Sequence, residues 1–319
     1  MKTTTVQPAR IRISDFGLRT SRLSRAFSLV EILIVVALLS VIILGLMAMF
    51  GQTQRAFRLG MAQTDVLEAG RATTDQIARE LGELRASGVD AVNLYAQTPG
   101  GYVPLLQDLP GDSGPPAAAG TAQQRENVLQ DFFFLTCQNR RWTAVGYRTE
   151  SANDVPGTLP LGGAGTLFRY TQTFSNTLTA GAELGRALND FLLANTNRMQ
   201  RARITDGVVH LRVRAYDTNG VWMTENLGWS IMATNRGPGV NGPRTGEVAF
   251  YQFWSNAVPG AVEIELGFLE SRAMERANSI PATLGNDTAR REYLRQQTGR
   301  VHLFRQRVPI STVDVKAYQ

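Results

Sequence analysis

The chain has 319 residues, 43% of them hydrophobic and 19% charged, proportions suited to a fold with a substantial core, and a formal net charge of +6. Five of those six charges belong to residues 1–26, where Lys2, Arg10, Arg12, Arg19, Arg22 and Arg25 face only Asp15, so overall basicity is no argument for a nucleic-acid partner. The single cysteine, Cys137, excludes an intrachain disulfide, and with only His210 and His302 beside it neither a structural zinc site nor a cofactor is expected.

From Phe27 to Phe50 the chain reads FSLVEILIVVALLSVIILGLMAMF, with no charge between Ile32 and Phe50. As a helix its 24 residues would extend roughly 36 Å, against a hydrocarbon layer of about 30 Å. The arginines before it keep residues 1–26 cytoplasmic by the positive-inside rule and send the C-terminal bulk across. Glu31 is the anomaly, one carboxylate near the start of an apolar run. Such a charge costs up to about 2.5–3.5 kcal/mol if it is central and less near an end, and a residue of this kind usually has a partner. A secretory signal would instead have a shorter apolar core and a small-x-small cut site, which is absent.

The run Arg25-Ala26-Phe27-Ser28-Leu29-Val30-Glu31 resembles the type IV prepilin motif. The resemblance implies cleavage between Ala26 and Phe27 by a prepilin peptidase on the cytoplasmic side, N-methylation of Phe27, and an assembly role for Glu31 against the new amine of a neighbouring subunit. The family usually has Gly before the cut; Ala26 stands there in this chain, a departure that bears on cleavage efficiency more than on its position. The partners implied are other pilin or pseudopilin subunits, the peptidase and the inner-membrane assembly platform. The location implied is a single pass through the cytoplasmic membrane with a periplasmic or extracellular domain.

Beyond the membrane, residues 51–86 favour helix, with Phe57, Met61, Leu67, Ile77, Leu81 and Leu84 at mostly three- to four-residue steps or their multiples. Residues 87–127 are expected to form a loop, because Asn93 to Gln123 is rich in Gly, Pro and Ala without periodicity. Strands are expected at Phe132–Leu135, Trp142–Arg148, Leu167–Phe174, Val248–Trp254 and Val301–Ile310, and helices at Glu183–Asn195 and Asn286–Gln297. Two segments alternate. Val209, Leu211, Val213 and Ala215 oppose His210, Arg212 and Arg214, while Val262, Ile264, Leu266 and Phe268 oppose Glu263 and Glu265. If the two are neighbours, Arg212 and Arg214 meet Glu263 and Glu265 across the strands.

The order is that of an α+β, pilin-like fold, a long N-terminal transmembrane helix packed on an antiparallel β domain over 128–319. The run GVVHLRVRAYDTNGVW, then VPGAVEIEL, is similar to large minor pilins and J-type minor pseudopilins of type II secretion, and RVHLFRQRVPI resembles the pilin-like "Verru_Chthon cassette protein C" family. Those likenesses imply an accessory rather than a major subunit, and no enzyme is expected.

Candidates for chemistry have simpler readings. Glu263 and Glu265 share one strand face without a converging acid, and His210 lies between arginines, an unfavourable setting for a base or ligand. The Gly162–Gly165 run lacks a P-loop's Lys-Ser/Thr and suits a turn, and Cys137 suits a small buried hydrophobe. Arg290, Arg291, Arg295, Arg300, Arg305 and Arg307 gather within eighteen positions. They raise a DNA- or surface-binding tip as the alternative function, weighed below solvated or inter-subunit ion pairing. An ordinary single-pass anchored protein is the remaining alternative.

Overall fold

The structure, a computed structural model, describes residues 28–109, 124–139, 141–151, 155–174, 180–224, 230–235, 248–283 and 286–314. The chain divides into two compact units, residues 1–57 and 58–319. In the first, the described residues are one helical stretch. It belongs to α1, Leu29–Leu81, which begins in a run apolar but for Glu31 and Ser40, contains no proline and stops where Gly82 follows.

The second unit holds the remaining turns of α1 and, among the described residues, one antiparallel nine-stranded sheet. Its strands are β1 (Val92–Gln97), β4 (Asp131–Gln138), β5 (Arg141–Glu150), β6 (Gly165–Phe174), β7 (Gln200–Tyr216), β8 (Ile231–Asn235), β9 (Val248–Trp254), β10 (Ala261–Leu269) and β11 (Val301–Pro309), in the order β11-β10-β7-β6-β5-β4-β1-β9-β8. Strands β2 (Leu105–Asp108) and β3 (Gln124–Asn127) pair separately. Three helices complete the unit: α2 (Ala180–Leu192), α3 (Ser271–Ser279) and α4 (Thr288–Arg295).

One sheet face packs on α1. Val66, Ile77, Ala78 and Leu81, with Leu84 just past the helix, join a cluster containing Phe134, Val145, Leu211, Val213, Ile264, Leu266 and Tyr251. On the other face α2 lays Leu184, Ala187, Leu188 and Phe191 on Phe133, Ala144 and Tyr170. A Cβ at Gly146 would overlap the Phe191 ring, so this close helix–sheet contact depends on glycine there. A third cluster joins Leu105, Val209, Leu269, Ala273, Met274 and Leu294 under α3 and α4.

The α+β composition and most strands match the sequence expectation, and three points are corrected. Phe57 and Met61 do not join the core; they are 69% and 53% exposed, and packing begins at Val66. The stretch 87–127 is not a loop throughout, since β1 lies inside the sheet between β4 and β9 and β2 and β3 pair with each other. Asn93 interrupts the apolar pattern of β1, yet its buried amide donates to the Ser255 and Ala257 carbonyls and its Oδ1 accepts the Ser87 N–H. Finally, Val209 leaves the row of Leu211, Val213 and Ala215. Gly267 pairs with His210 and Phe268 with Val208, so Val209 is the extra residue of a bulge and turns to the α3–α4 cluster while Val208 takes its place in the core.

Candidate functional site

Ala26 and Phe27 lie outside the described residues. Glu31 lies in the first turn of α1 and is exposed, and the Ser28 carbonyl accepts the N–H groups of Glu31 (2.9 Å) and Ile32 (3.2 Å). The spacing Ser28-x-x-Glu31 is that of a capping box, and a carboxylate at a helix N-terminus gains about 0.3–1 kcal/mol from the macrodipole. A local reason for an acid in this turn therefore exists in water.

The helix surface beyond that turn is not built for water. The large apolar side chains from Leu29 to Phe50 are between 48% and 80% exposed, all round the helix, a continuous apolar surface of a kind that soluble monomers rarely expose. By length and composition it is a candidate single membrane span. Ser40, the one polar side chain between Ile32 and Phe50, donates to the Val36 carbonyl at 2.8 Å. Its hydroxyl thus costs little in hydrocarbon. Glu31 has no such arrangement: among the described residues its carboxylate has no hydrogen-bond or ion-pair partner.

β7 and β10 are neighbours, as expected, with Arg214 opposite Glu263 and Arg212 opposite Glu265. Arg214 Nη1 lies 3.0 Å from Glu263 Oε1, and Arg305 of β11 donates to the same carboxylate at 2.8 Å. Glu265 Oε2 has His210 Nε2 and Arg212 Nη1 at 3.9 Å and Arg214 Nη1 at 3.8 Å. His210, with the two arginines, holds the Glu265 carboxyl down to about 2 although partial burial opposes this. His210 is buried, and that burial lowers its pKa despite Glu265. Its Nδ1 accepts the Val128 N–H at 3.2 Å, which requires a neutral ring protonated on Nε2. The histidine is thus a core residue stitching Val128 to β7.

The basic C-terminal residues are largely engaged within the chain. Arg290 donates to the Ile280 carbonyl, Arg291 pairs with Asp287, Arg295 with Asp108 and Glu292, and Arg305 with Glu263. Arg307 stacks over Tyr216, its guanidinium carbon 3.7 Å from the ring centroid. Gly162 and Gly163 form a short 3-10 turn with positive φ, and Gly162 N–H binds Asp287.

Sequence reasoning missed three polar links that fix the sheet. Glu80 of α1 accepts Tyr147 OH at 2.8 Å and pairs with Arg169; Arg148 meets buried Asp131 at 2.6 Å; Glu150 accepts from Tyr170 OH and from Nε and Nη2 of Arg201. Burial raises the Tyr147 and Tyr170 hydroxyls well above their usual range, and their carboxylate neighbours add to it. The partners are 17 to 89 residues apart, so only the fold reveals them.

A cleft of about 370 Å³ lies between α1, β7 and α3, lined among others by Asp65, Val66, Arg203, Asp206, Met274 and Glu275. Asp206 is occupied by Thr166 and Arg203, and no His or Cys lines the cleft. Among the described residues no group of three or more His, Cys, Asp and Glu could hold a metal ion. No family model, curated protein or solved structure matches this chain.

Proposed function

We propose that this chain is a minor pilin or pseudopilin subunit of a type IV pilus or type II secretion-like filament, anchored in the inner membrane by α1 before assembly. The observation that carries the reading is Glu31, a carboxylate at the head of an exposed apolar helix, with no partner among the described residues of its own chain. Together with the sequence Arg25-Ala26-Phe27-Ser28-Leu29-Val30-Glu31, it supports maturation by a prepilin peptidase between Ala26 and Phe27 and N-methylation of Phe27.

The physical logic is that of a switch. Cleavage before Phe27 creates an α-amine, mostly cationic at neutral pH. In an apolar bundle that cation and the Glu31 carboxylate of a neighbouring subunit attract strongly, and each offsets the other's desolvation. Before cleavage the leader blocks the amine and the subunit stays a membrane-resident monomer. The β domain serves this reading as a recognition body on the helix, facing other pilin or pseudopilin subunits and the assembly platform, with no catalytic role assigned to His210, Glu263 or Glu265.

The test is Glu31→Gln, which keeps the side-chain shape and removes the charge. Membrane insertion and cleavage should persist while incorporation into filaments drops severely. Wild-type incorporation of Glu31→Gln would remove the pairing and leave an ordinary single-pass anchor.

A further inference from the structure

The apolar run of α1 ends at Phe50, but the helix continues through Gly51, Gln52, Thr53, Gln54, Arg55, Ala56 and Phe57 with almost every side chain exposed. We propose that Arg55 and Phe57 form an interfacial grip on the far leaflet of the membrane, Arg55 binding lipid phosphate and Phe57 laying its ring back against the headgroups. The proposal rests on the reading of α1 as a membrane anchor and adds the partner of this segment.

Leu29–Phe50 is 22 residues long, or roughly 33 Å of helix, close to the hydrocarbon thickness of about 30 Å. The polar layer on each side adds roughly 5–8 Å, so the first turn after Phe50 falls within it and Phe57, about 10.5 Å beyond Phe50, sits at its outer edge. Arg55 Cα lies about 7.5 Å beyond Phe50 along the axis, and its flexible side chain can reach back to the phosphate level while its stem covers apolar surface. Phe50 and Phe57, seven positions apart, lie on one helix face. Phe57 is 69% exposed and Arg55 has no partner among the described residues. Thr53 does not compete for the phosphate, because its hydroxyl donates to the Met49 carbonyl at 3.0 Å. A cation just beyond a span is a residue type that fixes helix depth at an interface, and the exposed Phe57 ring adds an apolar contact on the face that carries Phe50.

The test uses the full chain with Cys137→Ser and one fluorophore-bearing cysteine at Ala56, Ile42 or Gln63, reconstituted in phosphatidylcholine vesicles with and without phosphatidylglycerol at about one lipid in three. The probe at Ala56 should be quenched by lipids brominated near the headgroup, more strongly with phosphatidylglycerol, and Arg55→Gln and Phe57→Ser should each reduce that quenching severalfold. Ile42 should be quenched only by deep bromines, and Gln63 by none. Quenching at Ala56 that ignores both substitutions, or protection of Ala56 that appears only as protein concentration rises, overturns the lipid grip, the latter in favour of a second copy. A probe at Ile42 untouched by deep bromines overturns the membrane reading and this proposal together, whereas failure at Ala56 alone leaves the span intact.

Discussion

Leu39 and Leu81 belong to the same helix, yet Leu39 is 54% exposed and Leu81 is fully buried. Around Leu39 every side of the helix is apolar; around Leu81 apolar residues keep to a stripe, with Glu80 and Glu83 beside them. The stripe finds its partner in the chain's own sheet. The all-round surface finds none among the described residues and calls for a second apolar phase. Periodicity, more than hydrophobicity, decides which half of a helix its own domain buries.

Substitutions can break that contrast. The largest effect is expected from Leu81→Ala, which should lower the stability of the β domain by about 2–5 kcal/mol. Leu39→Ala should leave it within about 0.5 kcal/mol. Urea unfolding of the full chain in detergent, followed by tryptophan fluorescence, compares the two; equal losses would end the distinction.

Glycines sharpen it further. Gly146→Ala must displace the fully buried Phe191 ring and should cost about 1–3 kcal/mol. A Cβ at Gly60 meets nothing within 4 Å, so Gly60→Ala should stabilise the helix by about 0.5–1 kcal/mol. Thermal melts report both signs, and a harmless Gly146→Ala would contradict the packing of α2 on the sheet. On the polar face, a double-mutant cycle of Arg214→Ala and Glu263→Ala should return a coupling of about 0.5–1 kcal/mol. A coupling of zero would reduce that ion pair to a passive contact.

The last effect is the pH dependence, and it concerns only the globular part. Burial lowers the His210 pKa in the folded chain, so below the ordinary value of about 6.5 the unfolded chain takes up a proton more readily than the folded chain, and stability falls with acidity. Glu265 contributes stability present above the ordinary glutamate value of 4.5 and lost as pH falls toward about 2. Urea midpoints should therefore drop in two stages on acidification, the upper one vanishing in His210→Asn and the lower one shrinking in Glu265→Gln, with the part due to Glu263 left behind. Midpoints unchanged by either substitution would refute these assignments.

Much of this architecture could be read from residue order because its signals are local. Alternation in Val262–Phe268 marks a half-buried strand, and matching alternation in β7 puts the arginines and the glutamates on the same face, while their one-to-one pairing comes from the register in the structure. The bulge at Val209 was hidden, since alternation continues through it in sequence while the chain slips by one residue in space. β1 was hidden by buried Asn93, whose amide partners lie more than 160 residues away, at Ser255 and Ala257. For the candidate site the reverse holds. Glu31 stands out in sequence as the single carboxylate heading an uncharged run, and its place in the first turn of α1 adds the local capping spacing with Ser28.

The central proposal, that α1 is first an anchor and then an assembly element, meets its most direct test at the mature N-terminus. The full chain, expressed with a prepilin peptidase and recovered from the membrane, is analysed by intact mass and N-terminal sequencing. The account predicts loss of residues 1–26 and an N-methylated Phe27 as the first residue. A protein still beginning at Met1, or one cut beyond Phe50 and released from the membrane, would contradict it.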